Sequence, residues 1–349
     1  MRKSYLSWLA SETDSNWNND SALAPQVENA VANGAIGATT NPPLSFEALT
    51  AEPDLYGEKL ARIDRNLPDN EFALQAMSLV PARLSGLFMD LHEKRGAYFG
   101  CVRAQVGPPL RFDAEGMLAA GKKLTALGKN IMVKIPGTKA GVWVLEELAA
   151  LGIPTNPTVI TTVSQAVAVA EAYERGRKRA EQAGIKAGWS TCAVVMGRAQ
   201  DYFATLNQER RLGLSSEDLE WAALAIVKRS CQIYQKNGYN SLIMPAAFRA
   251  PMQLEQLSGG PLHSTIHPKI QDAVEQADRA GKMRREIFID APLDKAALDR
   301  VAAKLPEFTQ SCEPDALELS DFDTFGSVVM TLDAFDVTGW QKLIGLKKL

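Results

Sequence analysis

One lysine stands where an apolar strand should have none. The segment Asn130-Ile131-Met132-Val133-Lys134-Ile135-Pro136-Gly137-Thr138 is an apolar run of strand length that carries Lys134 and stops at proline. Lysine is depleted from buried strands, because desolvating an ammonium is unfavourable unless it is paired or its pKa falls. The same desolvation leaves more of the group as free amine near neutral pH, and a free amine can attack a ketone to form a Schiff base. A lysine at a strand end that reaches out to solvent is the plainer alternative. Short polar clusters follow other apolar stretches: Ser11-Glu12-Thr13-Asp14, Thr39-Thr40-Asn41-Pro42-Pro43 and Thr155-Asn156-Pro157-Thr158.

The elements that must position these residues are about eight apolar stretches alternating with helical patterns, which favours a mostly parallel sheet covered by helices. The stretches are expected at Tyr5 to Ala10, Ala35 to Ala38, Tyr98 to Val102, the Lys134 segment, Gly152 to Thr158, Ser190 to Val195, Ser241 to Met244 and His263 to Ile266. Between them, Val142, Leu145, Leu148 and Ala149 recur at helical spacing before Gly152. Glu217 and Asp218 open a second apolar stripe that ends near Asn237-Gly238. Polar residues gather at the C-terminal ends of the strands, the face on which a barrel of eight parallel strands builds its sites. An open doubly wound sheet would place ligands there too, but no GxGxxG or GxxxxGK[ST] loop follows the first strand. The expected fold is an α/β (β/α)8 TIM barrel forming one domain over residues 1–349, with 284–349 as a C-terminal helical extension packed on it.

The composition narrows the function classes. Of 349 residues, 46% are hydrophobic and 23% charged, and the net charge of -3 shows neither the basic excess of a nucleic-acid binder nor an acidic tail. A small-molecule partner is expected, with no nucleic acid and no membrane. Cys101, Cys192, Cys231 and Cys312 lie far apart without CxxC spacing, which points to reduced thiols and to no metal site. Ser, Trp and acidic residues follow Met1-Arg2-Lys3 in place of an apolar signal core, and no run is expected to reach membrane-spanning length. A cytoplasmic location is expected.

At several of these positions the chain resembles the transaldolase family, in the family's own order from roughly residue 5 to 275. Gly37-Ala38-Thr39-Thr40-Asn41-Pro42 is similar to the second-strand TTNP signature, and Asn130 to Pro136 to the fourth-strand segment that carries the Schiff-base lysine. Gly152-Ile153 with Asn156-Pro157-Thr158 and Ser164-Gln165-Ala166 resembles the fifth strand and its helix. Gly197-Arg198 and Ala247-Phe248-Arg249 resemble the ends of the sixth and seventh strands. The resemblance implies a (β/α)8 barrel that works without a cofactor and moves a dihydroxyacetone unit from a ketose phosphate to an aldose phosphate. Lys134 would be the nucleophile, and Asp14 the general base that takes the C4 hydroxyl proton, with Glu12 as the fallback. Asn41 and Asn156 would orient hydroxyls of the held three-carbon unit, with Thr40 and Thr158 ordering a water or a neighbouring polar group. Arg198 and Arg249 offer planar donor forks for a phosphate monoester. A homodimer is one assembly open to such a chain.

The chain also departs from the family's pattern. The third strand usually carries Glu-Val-Asp-x-Arg, whose glutamate works through a water in forming and hydrolysing the Schiff base; the ungapped counterpart here is Cys101-Val102-Arg103-Ala104-Gln105. Ala193 and Ala247 replace two expected serines. Three readings follow: a transaldolase-like transferase, a lysine-dependent aldolase or transferase acting on an unusual sugar phosphate, and a catalytically silent barrel that binds a sugar phosphate.

Overall fold

The computed structural model describes residues 3–348. Eight strands alternate with helices along the chain: β1 (Asn16–Asn19), β2 (Gly37–Thr39), β3 (Cys101–Gln105), β4 (Ile131–Pro136), β5 (Thr155–Thr158), β6 (Thr191–Val194), β7 (Leu242–Pro245) and β8 (His263–Ile266). Six form one curled parallel sheet in the order β5-β4-β3-β2-β1-β8, and β6 pairs with β7 in a second parallel sheet. Two parallel bridges, Thr155 with Ser190 and Ile160 with Val194, tie the β5 edge to β6. Almost every strand residue is buried, as expected of a parallel sheet with helices on its outer face and packed side chains within.

The helices begin and end where their sequences provide for it. Thr138 caps Lys139–Ala150 by accepting from the Gly141 amide at 3.0 Å, and Val142, Leu145, Leu148 and Ala149 form the buried stripe. Ser215 and Asp218 make a reciprocal capping box on Ser216–Asn237, and Gly238 ends that helix in the left-handed region at φ 63°. Helix Asp69–Arg95 is long and apolar enough to cross a bilayer by length and composition, contrary to the expectation that no run reaches that length. One of its faces, including Phe72, Val80, Leu84 and Phe88, is buried in the common core.

One expected strand is a helix. Tyr5–Glu12 is helical; Tyr5, Leu6 and Leu9 share its buried face, and the amides of Tyr5 and Leu6 donate to the Glu275 carboxylate at 3.1 and 3.0 Å. The first strand is instead Asn16-Trp17-Asn18-Asn19, whose ladder pairs Asn16 with His263 and Asn19 with Ile266. Apolar alternation cannot reveal this strand, because its inward residue Asn18 is polar; its side chain donates to the His263 and Ser264 carbonyls.

Beyond β8, helices Lys295–Ala302, Pro306–Cys312 and Gly326–Phe335 lead into a π-turn, Asp336–Trp340, a short helix, Gln341–Gly345, and a 3-10 turn, Leu346–Lys348. This segment returns to the C-terminal ends of the strands. The Asp323 carboxylate accepts from the Lys139 amide at 2.8 Å, Ser327 bonds Thr161 at 2.7 Å, and Val328, Leu332 and Phe335 pack on Val159. Gly339 lies so close to Pro42 and Pro43 that no Cβ would fit, and the Trp340 ring covers Gly107.

Candidate active site

Register fixes the floor of the site. Gln105 pairs with Lys134 and Lys134 with Asn156, so three neighbouring strands present these side chains at one height on the concave face. Lys134 is 4% exposed, and its Nζ donates to the Thr40 carbonyl at 3.4 Å. Burial pulls its pKa down to about 8; the negative charge of Asp20 opposes that fall, and the Arg103 guanidinium adds to it.

The atoms around the amine leave acceptors open. Gln105 Oε1, Asn156 Oδ1 and Thr158 Oγ1 are buried without a hydrogen-bond partner. Asn156 turns its Nδ2 away, donating to the Thr191 carbonyl and, at 2.9 Å, to the Thr191 hydroxyl. Thr40 gives its hydroxyl to the Arg103 carbonyl at 2.7 Å, so its side chain braces β2 against β3 while its carbonyl faces the amine. Asn41 caps Pro42–Ala51 by accepting from the Leu44 amide through Oδ1 at 2.9 Å, which leaves Nδ2 for the cavity.

That cavity, about 430 Å³, is bordered by Asp20, Asn41, Arg198, Arg249, His267 and Phe335; Lys134 does not line it and is linked to it through the charge of Asp20. Asp20 directly follows β1, its amide donating to the Ile266 carbonyl at the end of β8 at 3.1 Å. Burial pushes its carboxyl above the usual range, and the positive charges of Lys134, Arg198 and Arg249 pull it back. Arg198, in the first turn of Met196–Arg210, lies with its guanidinium 5.8 Å from the Phe335 ring centre. Arg249 is held by Asp201 through Nε at 2.9 Å and Nη2 at 2.6 Å. A second cavity, about 380 Å³, lies by Lys228, Leu242 and Leu262 at the N-terminal ends of β7 and β8 and holds none of the candidate residues.

Two expectations change. Asp14 is exposed and precedes β1, at the opposite end of that strand from Lys134, and Glu12 pairs with Lys3 at 2.6 Å on the surface. Neither reaches the cavity; the carboxylate that does is Asp20. Misplacing the first strand onto Tyr5 to Ala10 shifted the acid by six residues, and the signal that could have found it is the inward series Asn16, Asn18, Asp20. On β3, the residue beside Lys134 is Gln105 and not Cys101. The Cys101 thiol, four residues earlier, donates to the Ala97 carbonyl at 3.2 Å. Two further cavity residues, His267 and Lys269, also escaped the sequence reading.

An amine freed by burial, a carboxylate facing it and cations at the rim form a set that can condense with a carbonyl, move a proton and hold an anion. Comparison with known proteins places the chain in a family. The model of the transaldolase/fructose-6-phosphate aldolase family matches residues 19–322. A transaldolase of Thiobacillus denitrificans is 27% identical over 318 residues, covering 88% of this chain and 85% of the relative. A transaldolase of Neisseria gonorrhoeae is 32% identical over 309 residues, covering 86% and 84%. A protein named transaldolase 1 from Streptomyces coelicolor is 25% identical over 337 residues, covering 87% of each chain.

Proposed function

We propose, from the premise that this chain belongs to the transaldolase/fructose-6-phosphate aldolase family, that it transfers a dihydroxyacetone unit between sugar phosphates through a Schiff base on Lys134. The observation that carries the reading is the buried Lys134 amine, its pKa brought to about 8, with the Asp20 carboxylate in its field.

The neutral amine adds to the C2 ketone of the donor, and loss of water gives an iminium. When C3–C4 breaks, that bond's electron pair moves into the iminium; an enamine and a free aldehyde result, and the C4 hydroxyl proton passes to Asp20. An acceptor aldehyde then bonds to the enamine carbon, its oxygen takes the proton back, and water hydrolyses the iminium to release product and amine. Asn41 Nδ2 and Asn156 Oδ1 orient the hydroxyls of the held unit, and Thr158 Oγ1 adds an acceptor. Gln105 can hold a water by hydrogen bonding, but an amide cannot shuttle its proton as a carboxylic acid does. The arginine side of the cavity, Arg198 and Arg249, receives the phosphate.

Borohydride trapping with fructose 6-phosphate tests the reading. A reduced adduct on Lys134, absent in Lys134→Ala, is expected by mass spectrometry, and its rate of formation should rise with pH toward a midpoint near 8, well below the ordinary lysine value. No adduct, or one that survives Lys134→Ala, overturns it and leaves the silent sugar-phosphate binder. A lysine aldolase or a transferase on an unusual sugar phosphate is favoured by the less polar wall at Ala247 and by Ala193, buried on β6. Turnover in the absence of an acceptor aldehyde would select the aldolase.

On the same reading the eight strands close as a (β/α)8 barrel within one domain, with 284–349 as its extension. The protein then acts in the cytoplasm on free sugar phosphates, alone or as a homodimer, without cofactor, metal, nucleic acid or membrane.

A further inference from the structure

The fold holds a second buried amine, at the N-terminal ends of the strands and away from Lys134. The cavity of about 380 Å³ noted above lies between the helix Ser216–Asn237 and the starts of β7 and β8. Leu242, Ile243, Leu262 and Ile289 give it apolar walls and Tyr239 an aromatic one, and Lys228 is the cationic side chain among its lining residues. An apolar cavity of this size with a few convergent polar groups is the usual form of a small-molecule site.

Lys228 is 3% exposed, and its Nζ donates to the Phe288 carbonyl at 2.7 Å and the Ala291 carbonyl at 2.8 Å. Both partners are neutral. Burial brings the pKa of the amine down to about 8, against the charge of Asp290, which favours the ammonium. The two carbonyls take two N–H bonds, and a neutral amine that makes both still has its lone pair. A desolvated lysine with a free lone pair is an activated nucleophile. One turn further along the helix, Cys231 lines the same cavity. Burial pushes its thiol up to about 12, so it stays protonated near neutral pH and does not compete for an electrophile.

We propose that Lys228 is a second carbonyl-reactive amine and that its cavity takes an uncharged, apolar aldehyde. The lone pair adds to the aldehyde carbon and the carbinolamine loses water; the imine that results requires no oxidant or reductant. Its protonated form keeps one N–H, enough for one of the two carbonyls. The cavity disfavours sugar phosphates, because none of its lining residues is an arginine and the exposed Asp290 carboxylate borders it. The site does not depend on the chemistry assigned to Lys134.

Reductive trapping of 2-naphthaldehyde with cyanoborohydride at pH 7, followed by peptide mass mapping, tests the site in the wild type and in Lys134→Ala. In both, Lys228 should label at least about tenfold faster than the exposed Lys59 and Lys122, because a larger share of it is free amine at that pH. The labelling should saturate as the aldehyde concentration rises. 2-Naphthalenemethanol, similar in shape but without a carbonyl, should protect Lys228 and leave the exposed lysines as they were. Lys228→Met should lose this adduct and keep trapping of fructose 6-phosphate on Lys134. Labelling of Lys228 no faster than the exposed lysines, or labelling that the alcohol does not slow, overturns the proposal and leaves Lys228 as a clamp on the turn that carries Phe288 and Ala291. Rate and protection are both read on the wild-type side chain, so they decide even if Lys228→Met does not fold.

Discussion

Two charged side chains, Arg103 and Asp20, act in opposite directions on the Lys134 amine. Arg103, fully buried on the inner face of β3, donates to Asn18 Oδ1 at 2.5 Å and to the Cys101 carbonyl at 3.1 Å, and its positive charge disfavours a second cation on Lys134. Asp20 acts the other way on the same amine. Replacing Asp20 by asparagine therefore removes the base and also lets the Lys134 pKa fall further. Turnover should drop roughly 10²–10⁴-fold, the usual scale for a lost acid–base group, while trapping of the lysine adduct at neutral pH persists. Asp14→Asn should stay within about twofold of wild type, as expected of an exposed residue without partners in the site. Steady-state rates for both variants, with trapping as the second readout, decide between the two acids.

At the scale of elements, the site depends on how tightly the turns after β6 and β7 approach each other. A Cβ on Gly197 would collide with the Ala247 carbonyl and come within 2.8 Å of the Arg249 guanidinium carbon, and Ala247 itself has φ 59°. Gly197→Ala should cost about 1–3 kcal/mol through overpacking and displace Arg249. Urea denaturation should record the first effect, and a raised KM for the phosphorylated donor the second. Much of this arrangement was legible in the sequence, because seven of the strands overlap the short stretches that alternate with helical patterns, and Lys134 and Asn41 stand out at the ends of apolar ones. β1 was not legible. Asn18 is polar because it meets Arg103 and the β8 backbone inside the sheet, so burial there leaves no hydrophobic signature, and Asp20 was lost with it. The position of Gln105 depended on register, which is a pairing between distant strands and cannot be read from either strand alone. His267 and Lys269 look like an ordinary helix start until the fold brings them to the arginines.

For the whole molecule, the segment after β8 forms one wall of the cavity as well as a cover over helices. Phe335 borders the cavity beneath Arg198, and Trp340, 2% exposed, packs on Gly107 and donates to Asn70 at 3.0 Å. Trp340→Ala should destabilise the protein by about 3–5 kcal/mol, the range for a large aromatic removed from a core, read as a lower denaturation midpoint at unchanged slope. A slope that falls instead would mean that this segment unfolds separately from the strands.

The contact between Gly339 and the Pro42–Pro43 step joins an early part of the chain to a late one. During translation the turn that presents Asn41 leaves the ribosome long before Phe335 and Trp340 exist. A nascent chain therefore carries the Lys134 amine before Phe335 and Trp340 are there to complete the pocket, and the finished cavity waits for that later segment.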